Sequence, residues 1–209
     1  MRHISESTVR RLSVYLQSLE EHARLGQTTV SSDELAQLGG TTSAQVRKDL
    51  SFFGSFGTRG LGYAVPELIS RLSEILGLGR DWRVVIIGAG KIGAALAQYQ
   101  GFQQRGFRVM AVYDTDAEKI GTRWDALTVR DAASLEDDMR RDTPEIAVLA
   151  VPAAAAQRML DRLVAAGFKA VVNFAPARLS APADVTVRAV NMAIELEGLS
   201  FALANRDPL

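Results

Sequence analysis

A glycine-rich turn at residues 88–93 reads Gly-Ala-Gly-Lys-Ile-Gly, which matches the pattern G-x-G-x-x-G. It follows the apolar run 84–87 and precedes a helix-like stretch, 94–99. The next apolar run, 109–113, ends on Asp114. A strand, a glycine turn, a helix, a second strand and an acid, in this order and at this spacing, are typical of a dinucleotide-binding unit. The pattern therefore predicts a nucleotide site.

Each part of this turn has a physical role in holding a dinucleotide. Gly88 permits the tight turn, Gly90 lets the backbone approach a pyrophosphate, and Gly93 lets the helix pack closely on the strand. The N-terminus of the helix offers free N–H groups to the phosphates. Asp114, twenty-one positions after Gly93, is suited to accept hydrogen bonds from the ribose hydroxyls. The candidates for cofactor binding are therefore Gly88, Gly90, Lys91, Ile92, Gly93 and Asp114. The alternative is a glycine turn with a purely structural role.

Two further segments lie where predicted strands end. Val151 begins a proline-containing corner after the apolar run 146–150, and Asn173 and Phe174 end the run that starts at Ala170. In an open sheet the carboxyl ends of the strands form the ligand crevice. The positions therefore predict that Val151, Asn173 and Phe174 line such a crevice. The alternative is ordinary turn chemistry between a strand and a helix.

A predicted helix from Thr42 to about Phe53 carries polar groups suited to DNA. Its start, Thr-Ser-Ala-Gln, matches a capping box in which the Gln45 side chain reaches back to the first residue. If Val46 and Leu50 face the core, the opposite face offers Gln and Arg for base edges and Lys and Ser for phosphates. A solvated helix face is the alternative. The candidates for DNA binding are Gln45, Arg47, Lys48 and Ser51, with Arg59 near the tip of a following hairpin.

The first eighty residues predict a small helical domain that ends in this hairpin. One amphipathic helix ending near Gly26 is indicated by apolar residues at helical spacing, namely Val9, Leu12, Leu16, Leu19 and Ala23. A capping box at 31–34 opens a short helix, and Gly39-Gly40 separates it from the third helix, as in a helix-turn-helix. Four glycines between residues 54 and 62 predict the hairpin. A helix-turn-helix followed by a hairpin is a winged helix.

From residue 82 onward, apolar runs alternate with helical segments, one of which spans 153–166. This alternation predicts a parallel sheet covered by helices on both faces, the doubly wound α/β class. The last segment, 194–205, reads as a largely apolar helix. The predicted strands are 84–87, 109–113, 146–151, 170–174 and 185–190.

Composition excludes several classes of function. The 209 residues include no cysteine, which excludes disulfides, thiolate catalysis and cysteine metal sites. The chain has no apolar stretch of about 18 residues or more, as a membrane span needs, and no apolar core of a secretory signal, so a cytoplasmic protein is expected. His3 and His22 lie far from the nucleotide segment, and no metal is expected. The net charge of zero does not itself indicate DNA binding, because strong nucleic-acid binders usually have a basic excess. If the chain binds DNA, its affinity is expected to come from shaped base contacts of a dimer and not from a large basic field.

The nucleotide segment shows no reaction centre. Lys91, Lys119, Tyr99 and Tyr113 are able to move protons, but none lies in a catalytic motif. The sequence therefore favours binding without turnover, and the protein is not expected to be an enzyme. The first alternative is a small NAD-dependent dehydrogenase with an accessory helical domain. The second is a sensor of another nucleotide such as coenzyme A, which Asp114 disfavours because its best role is with a ribose diol.

The runs 46–54 and 57–63 closely resemble the redox-sensing repressors of the Rex family. The glycine turn, the corner at Val151 and the segment 173–176 share this resemblance, which covers essentially the whole chain. It implies a homodimeric bacterial transcription repressor whose cofactor is NADH or NAD. Such a protein binds operator DNA when NADH is scarce and releases it when NADH accumulates. The residues implied at the nicotinamide end are Val151, Asn173 and Phe174.

The resemblance also implies an organisation in three parts. Residues 1–80 form a winged-helix DNA-binding domain with a bridging helix, and residues 81–192 form a Rossmann dinucleotide-binding domain. Residues 193–209 form a C-terminal helix that swaps into the partner subunit. The apolar character of this last segment suits burial against a second copy.

Two positions depart from the family pattern. The chain has Gln17 where the family often has an arginine, and Asn191 where it often has an aspartate. In the family, these two groups and the tyrosine that matches Tyr99 are associated with signalling between states. The three residues are therefore the candidates for the switch, with the alternative that Gln17 lies on an inert solvated face.

Overall fold

The computed structural model of the protein describes residues 4–54, 57, 62–141 and 144–205. The contacts between residues divide the chain into two compact units, Met1–Arg80 and Asp81–Leu209. Each unit has its own hydrophobic core, as independent domains do. No described helix is long and apolar enough to cross a bilayer.

The N-terminal unit combines helices with one short sheet. In chain order its described elements are α1 (Glu6–Arg24), β1 (Thr29–Val30), α2 (Ser32–Leu38), α3 (Ser43–Ser51), β2 (Tyr63–Ala64) and α4 (Val65–Ile75). Its core takes buried side chains from each of these elements, among them Tyr15 and Leu72. Pro66 lies in the first turn of α4, where a missing N–H costs no helical hydrogen bond.

Side-chain caps fix the start of the second and third helices. At α2 the capping box is confirmed: Ser31 Oγ accepts from the Glu34 N–H (3.1 Å), and the Glu34 carboxylate accepts from the Ser31 N–H (2.7 Å). At α3, Thr42 Oγ1 accepts from the Gln45 N–H, but the predicted reach of the Gln45 side chain back to Thr42 is wrong. That amide donates forward to Asp49 Oδ1 (2.8 Å) instead, because a bond to an ionised carboxylate is stronger than the neutral bond that the amide oxygen would accept from the Thr42 N–H.

The glycine-rich segment after α3 is only partly described. Its last residues form β2, which pairs antiparallel with β1. The strand at the end of the predicted hairpin is therefore hydrogen-bonded to β1, which precedes α2 in the chain. The tip of the predicted hairpin, including Arg59, lies outside the described residues.

The C-terminal unit alternates strands and helices, as predicted. Its described elements are β3 (Trp82–Ile87), α5 (Lys91–Ala97), α6 (Gln100–Gln104), β4 (Phe107–Asp114), β5 (Arg123–Trp124), β6 (Leu127–Asp131), a 3-10 turn (Ala132–Ser134), α7 (Leu135–Arg141), β7 (Ile146–Leu149), α8 (Ala153–Ala165), β8 (Ala170–Asn173), β9 (Thr186–Ala189) and α9 (Met192–Ala204). The five strands predicted from apolar runs are confirmed with small shifts at their ends. β5, β6 and α7 were not predicted.

The described strands of this unit form one sheet in the order β5-β6-β4-β3-β7-β8-β9. All neighbours are parallel except β5 and β6. The chain starts in the middle with β3, moves outward on one side and then returns to build the other side from β7. This is the strand order of a Rossmann fold, and the place where the direction reverses, between β3 and β7, is where such sheets bind ligands.

Both faces of the central strands are buried, which explains why these strands are continuous apolar runs. In β3, Val84 and Ile86 pack into one core cluster, and Val85 and Ile87 pack into the other. Successive side chains of a strand point to opposite faces, so each face receives every second residue. An alternating polar pattern is absent from such strands because neither face meets water.

The helix α9 differs from the other long helices because none of its described residues is buried. Its exposed apolar side chains are Met192, Ile194, Leu196, Leu199, Phe201 and Leu203. They lie on two opposite sides of the helix instead of on one face. The prediction of an apolar C-terminal helix is confirmed, with a start two residues earlier than expected.

Candidate functional site

A cleft of about 700 Å³ lies at the carboxyl ends of the strands beside the switch point. Its wall is made by the ends of β3 and β4, by the residues after β7 and β8, and by one face of α8. The lining residues are Ile87, Gly88, Gly90, Lys91, Ile92, Tyr113, Asp114, Thr115, Asp116, Lys119, Ala132, Ala150, Val151, Pro152, Ala155, Arg158, Met159, Phe174 and Pro176. The glycine turn, Asp114, Val151 and Phe174 are thus brought together at one opening.

Each glycine of the turn has a different local geometry, which explains why it has no side chain. Gly88 has a φ of +107°, and a Cβ there would overlap the Ala150 carbonyl. A Cβ on Gly93 would overlap the Gly88 carbonyl oxygen, so a side chain would push α5 away from the turn. Gly90 has no neighbour within 4 Å of its missing Cβ and lines the cleft. Its backbone is therefore open to a ligand.

The carboxylate of Asp114 joins the end of β4 to the glycine turn. Its Oδ2 accepts from the Ala89 N–H (2.7 Å), and its Oδ1 accepts from the Asp116 N–H (2.9 Å). Burial by itself would raise the pKa of Asp114, but these two bonds and the Lys119 ammonium lower it below its usual value. The group is therefore an anion near neutral pH, and it accepts hydrogen bonds at the mouth of the cleft.

Several charged residues of the cleft were not predicted from the sequence. Lys119 forms ion pairs with Asp114 (3.5 Å) and Asp116 (3.1 Å). Arg158 lines the cleft from α8. Its only sequence signal is spacing, because it lies one turn of α8 beyond Ala155, which also lines the cleft.

Asn173 has a different place from the one predicted. It does not line the cleft and is 1% exposed. Its Oδ1 accepts from the Ala175 N–H (2.9 Å), and its Nδ2 donates to the carbonyls of Ala175 (3.2 Å) and Ala177 (3.0 Å). The amide therefore shapes the loop that carries Phe174 into the cleft. The strand end was predicted, but the inward direction of this side chain was not.

A second amide holds the far end of the same loop. Gln157 of α8 donates through Nε2 to the Ser180 carbonyl and accepts at Oε1 from the Ser180 N–H, both at 2.9 Å. Asn173 and Gln157 together fix the segment that contains Phe174 and Pro176. This wall of the cleft is therefore held in place before a ligand arrives.

The predicted DNA-binding helix α3 buries Val46 and Leu50, as its pattern requires. Arg47, Lys48 and Ser51 are exposed. Arg47 donates to Ser32 Oγ of α2 (2.8 Å), and the Ser51 hydroxyl donates to the Lys48 carbonyl (2.8 Å). Ser51 would have to give up that bond to donate to a phosphate.

The most buried polar group of this unit is Asp49, which the sequence analysis missed. Its side chain has no exposed surface and lies between α3 and α1. Arg11 binds it with two N–H groups (2.6 and 2.7 Å), and the Tyr15 hydroxyl and Gln45 Nε2 also donate to it. Burial and the Asp49 carboxylate raise the pKa of Tyr15 to about 12. Gln45 is thus half-buried and engaged, not a free surface side chain.

The three switch candidates are all exposed. Gln17 lies on α1, and Asn191 precedes α9, where its Oδ1 accepts from the Ala193 N–H (3.0 Å). Tyr99 lies between α5 and α6 because α5 ends at Ala97, so the helical stretch predicted through Tyr99 is too long. Tyr99 is 59% exposed, so it does not pack in the core of this unit.

Two family models match the chain. A model described as "CoA binding domain" matches residues 79–177, and one described as "Putative DNA-binding protein N-terminus" matches residues 3–51. The first covers the sheet from β3 to β8, and the second ends at the last residue of α3. The matches therefore divide along the same two units as the structure.

Relatives and solved structures match nearly the whole chain. The redox-sensing transcriptional repressor Rex of Carboxydothermus hydrogenoformans is 50% identical and covers 95% of this chain and 95% of its own. The Rex of Streptomyces coelicolor is 48% identical and covers 96% of this chain and 78% of its own.

Two solved structures of RSP extend this likeness to the fold. The complex of RSP with NADH is 36% identical, with a TM-score of 0.90, and covers 97% of this chain and 95% of its own. The complex with NAD+ and operator DNA is 37% identical, with a TM-score of 0.91, and covers 97% of this chain and 94% of its own. Identity and coverage at this level identify the chain as a member of the Rex family of redox-sensing transcriptional repressors.

Proposed function

We propose that this protein is a repressor that binds operator DNA through its N-terminal unit and releases it when NADH fills the cleft. The observation that carries the proposal is the Asp114 carboxylate, an anion held against the glycine turn at the switch point of a Rossmann sheet. The family supports both ligands, because RSP, a Rex-family repressor, has been solved with NADH and with NAD+ and operator DNA. Such a regulator works in the cytoplasm, beside the DNA.

Within the cleft, each element has one task. The open backbone at Gly90 receives the diphosphate, and Lys91 contributes a positive charge beside it. Asp114 accepts from the ribose diol and rejects a 2′-phosphate. Val151 and Phe174 form the apolar wall for the nicotinamide ring. The proposed ligand residues are Gly88, Gly90, Lys91, Ile92, Gly93, Asp114, Val151 and Phe174, with Asn173 as a positioning residue.

On the DNA side, α3 enters the major groove as the recognition helix of a helix-turn-helix. Gln45 and Arg47 meet base edges, and Lys48 and Ser51 meet phosphates. Arg59, in the glycine-rich segment that resembles the family most closely, is the proposed contact of the wing. Because the chain has no net charge, affinity depends on paired half-sites more than on a basic field.

The proposed DNA-binding form is a homodimer. A helix with apolar side chains on opposite sides is normally buried, and α9 has six large apolar side chains exposed at 59–71%. A second copy of the chain covers them in the proposal, as the family resemblance implies. A dimer also presents two copies of α3 to the two halves of an operator.

Binding without turnover is the economical use of this cleft. Tyr113 lines it, but its hydroxyl donates to Asp138 (2.9 Å), and burial together with this bond raises its pKa to about 12. Lys119 is engaged by two carboxylates. A general acid or base works best when its pKa is close to the operating pH. Neither Tyr113 nor Lys119 is therefore suited to that role near neutral pH.

The test is to titrate a protein–DNA complex with NADH, NAD+ and coenzyme A in parallel. The DNA is a duplex selected from a random library by the purified protein without cofactor. We expect NADH to weaken DNA binding far more than NAD+ does, since an effector shifts an equilibrium only by its differential affinity for two states. Unchanged DNA affinity at saturating NADH contradicts the proposal. Release by coenzyme A alone assigns the cleft to the other nucleotide.

A further inference from the structure

The Asp49 carboxylate has every acceptor site filled. Oδ2 accepts from Arg11 Nε (2.6 Å) and the Tyr15 hydroxyl (3.1 Å), and Oδ1 accepts from Arg11 Nη2 (2.7 Å) and Gln45 Nε2 (2.8 Å). An ionised carboxylate has about four acceptor positions. A buried charge is tolerated when it is paired and fully hydrogen-bonded, and this one is.

The charge on Asp49 fixes which end of the Gln45 amide faces it. Burial by itself would raise the pKa of Asp49, but the hydrogen bonds from Arg11 and Gln45 lower it below its usual value. The group is therefore a pure acceptor near neutral pH. Only the NH2 end of the Gln45 amide can face it, and a flipped amide would set two oxygens against each other.

The consequence is that Gln45 Oε1 points away from Asp49. No hydrogen bond to this oxygen is found among the described residues. Gln45 is the third residue of α3. Residues near the N-terminus of a recognition helix are the ones that contact base edges.

We propose that Asp49 is a specificity-determining residue: it locks the Gln45 amide with its oxygen forward, so that α3 selects a base with an amino group at the position that Gln45 reads. In the major groove adenine and cytosine present an amino donor there, whereas guanine and thymine present a carbonyl. The inference rests on the proposed role of α3 in the major groove. Beyond that role, it predicts the base preference at the one position that Gln45 reads and identifies Asp49 as the residue that determines this preference.

The structure also explains why Asp49 acts through Gln45 and not by contact with DNA. Its side chain has no exposed surface. Arg11 is held in turn by a bond to Thr8 Oγ1 (3.2 Å), so the network is anchored on α1. Asp49 is therefore a positioning residue, and its effect must be visible in base preference beyond any effect on stability.

The experiment compares base preferences of four full-length proteins selected from a random duplex library without NADH. The position read by residue 45 is the one whose preference disappears in Gln45→Leu. At that position, on the strand that Gln45 faces, we expect the unmodified protein to prefer adenine or cytosine over guanine or thymine by about tenfold. In Asp49→Asn the partner is able to donate or accept, so the Gln45 amide turns freely and this ratio falls to about twofold or less.

Tyr15→Phe is the matched control, because it removes one donor from Asp49 and leaves the bond to Gln45 in place. We expect it to keep the base preference whatever it does to thermal stability. An equal loss of preference in Tyr15→Phe and Asp49→Asn would show that the network is merely structural. An unchanged preference in folded Asp49→Asn also overturns the proposal.

Two readouts keep the proposal testable if Asp49→Asn does not fold. The unmodified protein must not prefer guanine or thymine at the position in question, and Gln45→Leu must alter some position; either failure overturns the inference. If the unmodified protein selects no sequence at all, the proposed function itself fails, which is a different result.

Discussion

At the scale of single residues, Asp114 combines two tasks on one carboxylate. It accepts from the Ala89 N–H of the glycine turn, and in the proposed function its remaining lone pairs accept from a ligand. It also pairs with Lys119, which the neighbouring Asp116 holds as well. In the proposed function, both charges therefore affect the choice between a ribose hydroxyl and a phosphate.

We predict that Asp114→Ala weakens NADH binding by about tenfold, since a hydrogen bond to a charged group contributes about 1.5–3 kcal/mol. The same change should reduce the difference in affinity between NADH and NADPH. The repelling carboxylate is removed, and Lys119 loses one of its two acidic partners and is freer to meet a 2′-phosphate. Calorimetric titration with both cofactors measures the two affinities.

Asp184→Ala is the control for this change, because Asp184 pairs with Lys169 in an exposed ion pair and does not line the cleft. It should leave both affinities unchanged. If the unmodified protein binds NADH and NADPH equally well, the role given to Asp114 is wrong.

The residues that the sequence predicted and those that it missed differ in a physical way. The glycine turn is recognisable because its function requires particular backbone geometry within six consecutive residues. Asp49 was missed because its partner Arg11 lies 38 residues away, and nothing local marks a charge as buried. Asn173 was found as a strand end, but the direction of its side chain depends on a loop that folds back over it.

At the scale of elements, the same distinction holds. The central strands were predicted because both faces of a parallel sheet demand apolar residues. β6 was missed because it lies toward the edge of the sheet, with only Val129 fully buried. The helix α9 was predicted from its apolar residues, yet its lack of a polar face becomes meaningful only once its exposure is seen.

We predict that Phe201→Glu converts the protein from a dimer to a monomer. Phe201 is 71% exposed on α9, and burial of such a side chain contributes about 1.5–3 kcal/mol. In a two-fold dimer the change is made twice, and each copy buries a charge in addition. Sedimentation velocity at micromolar protein measures the shift, and operator affinity should fall with it because the two half-sites are no longer linked.

A matched control is available in Leu25, which is 69% exposed at the end of α1. Leu25→Glu makes the same kind of change on the other unit and should leave the dimer intact. The proposal for α9 does not survive if Phe201→Glu remains a dimer, or if the unmodified protein is a monomer.

At the scale of the whole molecule, the proposed sites for the two ligands lie on different units. The cofactor cleft lies entirely within residues 81–209, and α3 lies within residues 1–80. In the proposed dimer, neither ligand can act on the other except by favouring one arrangement of the two units. By reciprocity, DNA must weaken NADH binding by the factor by which NADH weakens DNA binding. The size of that factor depends on groups outside both sites.

The last prediction concerns Gln17 and Asn191, which are neutral where the family often has an arginine and an aspartate. If they meet across the dimer, the present amide pair is weaker than an ion pair, since charge-assisted hydrogen bonds are about twice as strong as neutral ones. We therefore expect Gln17→Arg with Asn191→Asp to change the coupling between NADH and DNA by more than the sum of the single changes. Coupling of this kind is typically about 1–3 kcal/mol, so one charged contact is a large part of it.

Both changes are mild for the fold, which makes the double-mutant cycle clean. Gln17 is exposed on α1, and aspartate caps a helix as well as Asn191 does now. NADH affinity is measured with and without operator DNA for the four proteins of the cycle, and thermal unfolding confirms that each is folded. A non-additive coupling energy shows that the two positions communicate. Strict additivity would mean that Gln17 lies on an inert face, and the switch in this protein would have to run through other residues.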